Sequence, residues 1–137
     1  MWREIGRWSE ADLDRADRAY RRWVLRERRA KRFFAYIVET RQGVPAGSGA
    51  VWLAPNQPRP GRVGTLELPY ILSMFTEPRF RRRGVATRLV LTMIDWAERR
   101  GYGRVVLHAS VKGRPVYARL GFEPSREMRL DLPARRG

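Results

Sequence analysis

Residues 70–101 read YILSMFTEPRFRRRGVATRLVLTMIDWAERRG, and the predicted fold is built around this stretch. Residues 70–76 are a short, largely apolar run, which predicts a strand that is buried on at least one face and ended by Pro78. From Gly84 onward, apolar residues recur at helical spacing until Gly101. This spacing predicts a long helix with one face in the core. A strand, a basic turn and a helix therefore follow one another directly.

The turn between this strand and helix carries three arginines before Gly84. A helix N-terminus has unpaired N–H groups and the positive end of the helix dipole, which together attract anions. A glycine has no Cβ, so a phosphate can approach the backbone there, and flanking arginines add electrostatic attraction. The pattern predicts a phosphate-binding turn made of Arg81, Arg82, Arg83, Gly84, Val85, Ala86 and Thr87.

Two later segments complete a recognisable set of motifs. Residues 105–109 (VVLHA) are strand-like, and residues 116–122 read VYARLGF. With the Arg-x-x-Gly-x-Ala turn, in this order and at this spacing, they make the chain resemble the GCN5-related N-acetyltransferases (GNAT). This family moves an acetyl group from acetyl-CoA to an amine. The resemblance covers residues 66–132, with residues 127–130 as a closing strand, inside a single domain expected to span residues 1–137.

The resemblance implies an α/β fold with a GNAT-like central sheet, mixed and strongly twisted. The family's fourth and fifth strands splay apart, and the pantetheine arm of CoA lies in the gap. The family also has an opening strand and a first helix ahead of the helix predicted here at residues 9–30. At most residues 1–7 remain of these elements, so both are expected to be missing.

The rest of the chain supplies helices and strands for such a sheet. Residues 9–30 predict a helix capped by Ser9, whose buried stripe consists of Leu13, Ala16, Tyr20, Trp23 and Val24. Residues 33–40 and 47–54 predict an antiparallel hairpin. Residues 104–109 predict a strand parallel to residues 70–76, and Pro115 begins a short helix. The proline-rich residues 55–64 are either a connector or a flap over the substrate.

Composition limits the chemistry that is available. The chain has 137 residues, no cysteine and one histidine. Disulfides, thiolate metal sites and multi-histidine metal centres are thus excluded, and no metal is predicted. No apolar run is long enough for a membrane span, and no secretory signal is visible. The sequence predicts a cytoplasmic protein without membrane contact.

The formal charge of +15 at pH 7 raises the question of a polyanionic partner. Nearly all of the basic residues are arginine, and they are spread from Arg3 to Arg136 instead of forming one block. Many lie on predicted solvated helix faces, and CoA phosphates would account only for residues 81–83. Nucleic-acid binding is therefore expected to be incidental at most.

Acetyl transfer to an amine has three requirements: a neutral amine, an N–H donor for the developing oxyanion, and a proton for the leaving thiolate. By resemblance, a backbone N–H at Phe75 or Thr76 holds the acetyl carbonyl, and Tyr117 protonates the CoA sulfur. Ser110 takes the place of an asparagine that contacts the cofactor arm. Tyr117 could also be simply a half-buried aromatic residue of the last helix.

The general base is left open between two residues. Histidine titrates near neutral pH as a residue type, which favours His108, whereas Glu67 could act through water. The predicted activity is N-acetyltransfer from acetyl-CoA to a small-molecule or protein amine by direct attack in a ternary complex, with a homodimer possible. The alternative is a non-catalytic basic module that binds CoA or nucleic acid.

Overall fold

The computed structural model describes residues 8–57, 60 and 67–133. Its elements, in chain order, are α1 (Glu10–Arg29), β1 (Phe33–Glu39), β2 (Pro45–Pro55), β3 (Glu67–Thr76), a 3-10 helix (Pro78–Phe80), α2 (Val85–Arg99), β4 (Val106–Leu107) and α3 (Arg114–Arg119). The expected remnant of an opening strand in residues 1–7, and most of the predicted loop at 55–64, lie outside the described residues. Among the helices described, none has the length and apolar character needed to cross a membrane.

The strands form a single mixed sheet in the order β1-β2-β3-β4. β1 and β2 are antiparallel, which confirms the predicted hairpin, and β3 is antiparallel to β2. β4 is parallel to β3, because α2 carries the chain back to the same end of the sheet. The mixed α/β sheet predicted from the sequence is confirmed.

Two predicted strands differ from the structure. The strand predicted at residues 104–109 contains only Val106 and Leu107. The predicted closing strand at residues 127–130 is wrong: these residues form no strand in the described structure, and Met128 and Leu130 are 94% and 81% exposed. The physical reason is that β4 is too short to offer a ladder of backbone partners to a further strand.

Helix α1 begins as the sequence predicts. The Ser9 hydroxyl accepts a hydrogen bond from the Asp12 backbone N–H at 3.1 Å, which satisfies one of the free donors at the helix start. The buried stripe is narrower than predicted, because Ala16 is exposed and Leu13 is the only fully buried apolar residue of α1. The aromatic ring of Trp23 makes the main packing contacts instead, at 5.7 Å from Phe33. α1 thus lies against the sheet through a few aromatic side chains.

The C-terminal end of α1 is fixed to the sheet by a buried carboxylate. Glu27 is 7% exposed, and it accepts a hydrogen bond from Arg32 Nε at 2.5 Å. This hydrogen bond lowers the pKa of Glu27, although burial acts in the opposite direction. The Leu53 N–H of β2 donates to the Arg32 carbonyl at 2.8 Å. The ion pair and this backbone hydrogen bond together connect α1, the residue before β1, and β2.

Helices α1 and α2 lie on opposite faces of the sheet. On β1, the ring of Phe33 contacts Trp23 of α1, whereas the neighbouring Phe34 contacts Trp96 of α2 at 4.8 Å. Successive side chains of a strand point to opposite faces, so these contacts define an α1 face and an α2 face. The main core lies on the α2 face, and its buried residues are Ala46, Val51, Ile71, Val85, Leu89, Val90 and Met93.

A glycine in β2 allows α2 to approach the sheet closely. A Cβ added to Gly47 would lie 2.6 Å from Val85 Cγ1 and 2.8 Å from the Phe75 carbonyl oxygen. Both distances are shorter than real Cβ contacts, so any larger residue would displace the first turn of α2. Gly47 therefore fixes where the N-terminus of α2 lies relative to the end of β3.

Candidate active site

The parallel strands β3 and β4 separate after two residue pairs. Tyr70 pairs with Val106 and Ile71 with Leu107, and the pairing ends there. β3 continues to Thr76, so residues 72–76 present an edge that β4 does not cover. We call the opening between residues 72–76 and the chain after Leu107 the fork. Its position agrees with the splayed strands that the resemblance implies.

A bulge shapes the β3 side of the fork. The register between β2 and β3 shifts between Ser48 and Ala50, where two steps along β2 match three along β3. The extra residue lies in β3, where Ser73 has a φ of 57° in the left-handed region. Serine adopts this conformation at an energetic cost, so the surrounding structure must hold it. Part of that support comes from α1, because the Tyr20 and Ser73 hydroxyls are hydrogen bonded.

Beyond the bulge, the backbone of β3 offers hydrogen-bond donors to the fork. The Glu77 N–H donates to the Ala46 carbonyl of β2 at 2.9 Å. Neighbouring N–H groups of a strand point to opposite edges, so the Thr76 N–H faces the fork and the Phe75 N–H faces β2. The same alternation directs the Met74 N–H to the fork. The geometry favours Thr76 over Phe75 as a donor and adds Met74, which sequence reasoning missed.

The basic turn has an unusual backbone. Arg82 and Gly84 both have positive φ, at 63° and 77°. The Arg81 side chain folds back so that Nε donates to the Thr76 carbonyl at 3.3 Å. This contact fastens the turn to the end of β3. Left-handed residues in such turns help to gather backbone N–H groups on one side, as in known anion-binding loops.

The N-terminus of α2 presents donors without backbone partners. The Arg88 N–H donates to the Gly84 carbonyl at 3.0 Å, whereas among the described residues no backbone carbonyl accepts from residues 84–87. A Cβ built on Gly84 meets nothing within 4 Å, so its surroundings are open. Val85 is buried in the core and Ala86 is half-buried. These two residues therefore offer the site their backbone and not their side chains.

Positive side chains surround this N-terminus. Arg81, Arg82 and Arg83 are all exposed. The guanidinium of Arg83 lies 5.9 Å from the centre of the Phe80 ring, and that of Arg79 lies 4.7 Å from it. Free N–H groups, an open glycine and several guanidinium groups together fit a phosphate-bearing ligand.

Tyr117 and Ser110 lie together on the chain after β4. The Ser110 hydroxyl accepts from the Gly113 N–H at 3.1 Å, so it shapes the turn into α3. A Cβ on Gly113 would lie 3.0 Å from the Tyr117 ring, which packs over this turn. Burial raises the pKa of Tyr117. The ring also packs against the core cluster that contains Ile71, the last residue of β3 to pair with β4.

His108 is the first residue after β4, so it lies at the fork. Its Nδ1 is hydrogen bonded to the Tyr70 hydroxyl, and its Nε2 lies 3.7 Å from Glu127 Oε1. The Tyr70 and His108 rings meet edge to face at 5.3 Å. Tyr70 and Glu127 were missed in the sequence, because no local signal connects residues so far apart along the chain.

Glu67, the other candidate base, lies elsewhere. It begins β3, paired with Pro55, and it accepts a hydrogen bond from the Tyr102 hydroxyl at 3.4 Å. Leu72, where the fork begins, lies five positions further along the strand, which is roughly 16 Å at the rise of a strand. The structure therefore brings His108 to the fork and not Glu67.

Tyr117 and His108 are on different faces of the sheet. Tyr117 packs against the core cluster on the α2 face. Tyr70, which contacts His108, has its ring 6.3 Å from that of Trp52, and Trp52 in turn contacts Trp23 of α1 at 5.1 Å. His108 is therefore on the α1 face. Two groups able to move protons thus lie on opposite faces of the sheet.

Comparison with known proteins gives a consistent result. A sequence model of the Acetyltransferase (GNAT) family matches residues 2–122. The glucosamine 6-phosphate N-acetyltransferase of Trypanosoma brucei brucei is 33% identical over 88 residues, which are 63% of this chain and 56% of that protein. The chain thus spans little more than half the length of that curated relative.

Two solved structures superimpose on most of this chain. A GCN5-related N-acetyltransferase from Ralstonia eutropha JMP134 superimposes with a TM-score of 0.82 at 28% identity, over 95% of this chain and 84% of that one. A predicted acetyltransferase from Clostridium acetobutylicum, solved with acetyl-CoA, gives 0.75 at 27% identity, over 85% and 74%. Both similarities therefore extend over most of this chain.

Proposed function

The chain belongs to the acetyltransferase (GNAT) family, and we propose that it transfers an acetyl group from acetyl-CoA to a primary amine by direct attack in a ternary complex. The observation that carries this proposal is the fork. β4 leaves residues 72–76 of β3 uncovered there, and the chain beyond supplies the open N-terminus of α2 and the half-buried Tyr117. These are the groups that the transfer needs.

The phosphates of CoA would bind at the basic turn. Residues 84–87 supply backbone N–H groups, while Arg81, Arg82 and Arg83 supply charge. Gly84 leaves the space above the backbone open. The Clostridium acetobutylicum neighbour, which was solved with acetyl-CoA, supports the choice of ligand.

The acetyl carbonyl would be held at the free edge of β3. The N–H groups of Met74 and Thr76 face the fork, and either can donate to an oxygen that gains negative charge. The bulge at Ser73 sets their direction. Ser110, which is held in its turn by Gly113, lies between β4 and Tyr117 and would border the cofactor arm.

Tyr117 would donate its hydroxyl proton to the sulfur that leaves. Burial raises its pKa, so the phenol stays protonated and able to donate at neutral pH. The acceptor would be a small-molecule or protein amine. The predicted cytoplasmic location, single domain and homodimer remain predictions.

The proposal is tested by measuring thiol release from acetyl-CoA against a panel of amines, beside calorimetry with CoA alone. We expect saturable release that depends on the amine. Binding of CoA without release for any amine would instead favour the non-catalytic CoA-binding module. Failure to bind CoA would refute the assignment of the site.

A further inference from the structure

His108 has no part in the proposed function so far, but its ring contacts two polar side chains that the proposed function does not include either. Its two ring nitrogens face two different oxygens, the Tyr70 hydroxyl at Nδ1 and the Glu127 carboxylate at Nε2. Each comes from a separate part of the chain, β3 and the segment after α3. Among the described residues, Tyr70 and Glu127 are the titratable groups in contact with His108. Both ring N–H groups of an imidazolium would therefore have an acceptor.

The cluster of Tyr70, His108 and Glu127 lies at the fork, where a ligand could reach it. His108 follows Leu107, the last residue of β4 that pairs with β3, so its ring stands where the two strands separate. Its side chain is 73% exposed, and that of Glu127 is 69% exposed, so a ligand on the α1 face could reach both. Tyr117 lies on the other face, against the core.

We propose that His108 is the catalytic base that takes a proton from the acceptor amine, and that Tyr70 and Glu127 are positioning residues for its ring. This inference rests on the proposed acetyl transfer. It further implies that the amine enters the fork from the α1 face, while the sulfur is protonated from the α2 face.

The Nε2 atom is the group that accepts the proton. Its distance of 3.7 Å from Glu127 is longer than a hydrogen bond, so no Nε2–H proton is held in a direct bond to that carboxylate. The phenol oxygen of Tyr70 can accept from Nδ1–H, which leaves the lone pair on Nε2. Burial, followed by the charge of Glu127, raises the pKa of Tyr70, so its own proton is retained.

The proton balance can then be followed atom by atom. An N–H bond of the ammonium breaks and the Nε2–H bond of His108 forms. The freed lone pair of the amine bonds to the acetyl carbon, and the carbon–sulfur bond breaks. The sulfur takes the Tyr117 phenol proton. The second amine proton passes to water, because His108 already holds the first. Tyr117 then regains a proton from solvent, and His108 gives its proton up to solvent. Glu127 stabilises the imidazolium while it carries the extra proton.

The first experiment compares the parent with His108→Gln across pH, using the most active amine of the panel. At neutral pH, where the amine is mostly protonated, kcat/KM should fall by about a hundredfold or more, as removal of a general base usually does. The loss should shrink as the pH approaches the ordinary pKa of the amine, because the free amine then needs no base.

A pair of acceptors sharpens this result. The same amine with a trifluoromethyl group on the carbon that bears the nitrogen has a lower pKa and is mostly neutral at pH 7. His108→Gln should lower kcat/KM far less for the fluorinated acceptor than for its parent compound. A purely structural defect would lower both to the same extent, and this outcome would overturn the proposal.

The positioning residues are tested by Tyr70→Phe and Glu127→Gln, with Tyr102→Phe as the matched control. Tyr102 also has a hydroxyl bonded to a partner, the Glu67 carboxylate, but at the far end of β3. We expect roughly three- to tenfold losses in kcat for the first two variants, and none for Tyr102→Phe. Equal effects of all three would contradict a specific role.

A measurement without turnover uses the fact that the chain has a single histidine. Its ring resonances in a proton NMR spectrum therefore need no assignment. At one fixed pH, Tyr70→Phe and Glu127→Gln should each change the chemical shifts of these resonances, and Tyr102→Phe should not. Unchanged chemical shifts in both variants would show that the contacts do not exist in solution.

The two proposals fail in different ways. If the parent releases thiol but His108→Gln releases it equally fast at every pH, only the assignment of the base is wrong. If the parent releases no thiol with any amine, the proposed function is wrong and the base assignment falls with it. Loss of activity that is confined to protonated amines supports both.

Discussion

The two sides of the fork are built in different ways. On the α2 face, the basic turn and the start of α2 come from one continuous stretch, residues 77–87, held by local contacts such as Arg81 with Thr76. On the α1 face, the groups come from distant parts of the chain: Tyr20 reaches Ser73, and Tyr70 reaches His108. One side is a local motif, whereas the other depends on tertiary packing.

Because the two faces are built differently, substitutions on them should change different parts of the chemistry. A phosphate needs backbone N–H groups at a helix start, and a short segment can supply them by itself. The α1 face has no such local unit, so its chemistry changes whenever a distant residue changes. We therefore expect substitutions on the α2 face to alter CoA binding or sulfur protonation, and those on the α1 face to alter the use of the amine.

Tyr117→Phe tests whether the α2 face protonates the sulfur, and it should have the largest effect of these substitutions. The ring and its packing on the α2 face remain, but the proton for the sulfur is lost. kcat should fall by roughly tenfold to a thousandfold, while the CoA dissociation constant changes by less than about threefold. The measurement is steady-state kinetics beside calorimetry.

An unchanged kcat would need one further step to interpret. A pre-steady-state burst of product would show that release is slower than chemistry, whereas its absence would mean that water protonates the sulfur. The second result would remove Tyr117 from the mechanism. If the variant unfolds, Tyr117 is a core residue alone.

Gly47→Ala tests whether close packing fixes the α2 side. The added Cβ would lie 2.6 Å from Val85 Cγ1, so we expect a destabilisation of about 1–3 kcal/mol. Denaturant unfolding would measure it as a lower midpoint with an unchanged slope. In the double variant with Val85→Ala, part of the loss should disappear, because the nearer atom is gone. Additive losses would refute the clash.

Gly84→Ala tests the phosphate turn against a matched glycine. Gly84 and Gly43 have φ values of 77° and 81°, and a Cβ at either meets nothing within 4 Å. Both variants bear the same backbone strain, but Gly43 lies in the β1–β2 turn. CoA binding should weaken about tenfold, or about 1.4 kcal/mol, in Gly84→Ala alone. Equal CoA affinity in the two variants would show that the site lies elsewhere.

The smallest expected effect concerns the attachment of α1. Arg32 lowers the pKa of Glu27, so the ion pair stabilises the fold above the pKa of the unfolded glutamate and loses this contribution as the pH falls below it. Between about pH 6 and 3, the melting temperature should decrease more steeply in the parent than in Glu27→Gln. Parallel curves would mean that the ion pair contributes nothing.

The sequence predicts the elements of this fold well wherever the signal is local. α2 ends at Arg99, close to the predicted stop, and α1 begins at the predicted cap. The prediction of a closing strand was wrong. The alternation of Met128 and Leu130 in the sequence indicates one possible face of a strand, but it does not show whether a partner strand lies beside it. Ala16 was placed in the core by periodicity, but α1 touches the sheet over too narrow a stripe to cover it.

The site, like the fold, could be predicted from the sequence only where the signal is local. The residues of the basic turn could be predicted because the helix start and its glycine are adjacent in the chain. The direction of the Thr76 N–H depends on the bulge at Ser73, which no residue pattern in β3 indicates. The partners of His108 depend on which residues the sheet brings to the fork. Backbone irregularities and long-range contacts are therefore what the sequence left open.

Initial-rate kinetics with both substrates varied test the central claim most directly, namely that the amine attacks the acetyl group within one complex at the fork. Rates would be measured against acetyl-CoA at several fixed concentrations of the best amine. We predict double-reciprocal lines that intersect, because both ligands must be bound before transfer. Parallel lines would mean that the acetyl group first passes to the protein, and this result would contradict direct attack across the fork.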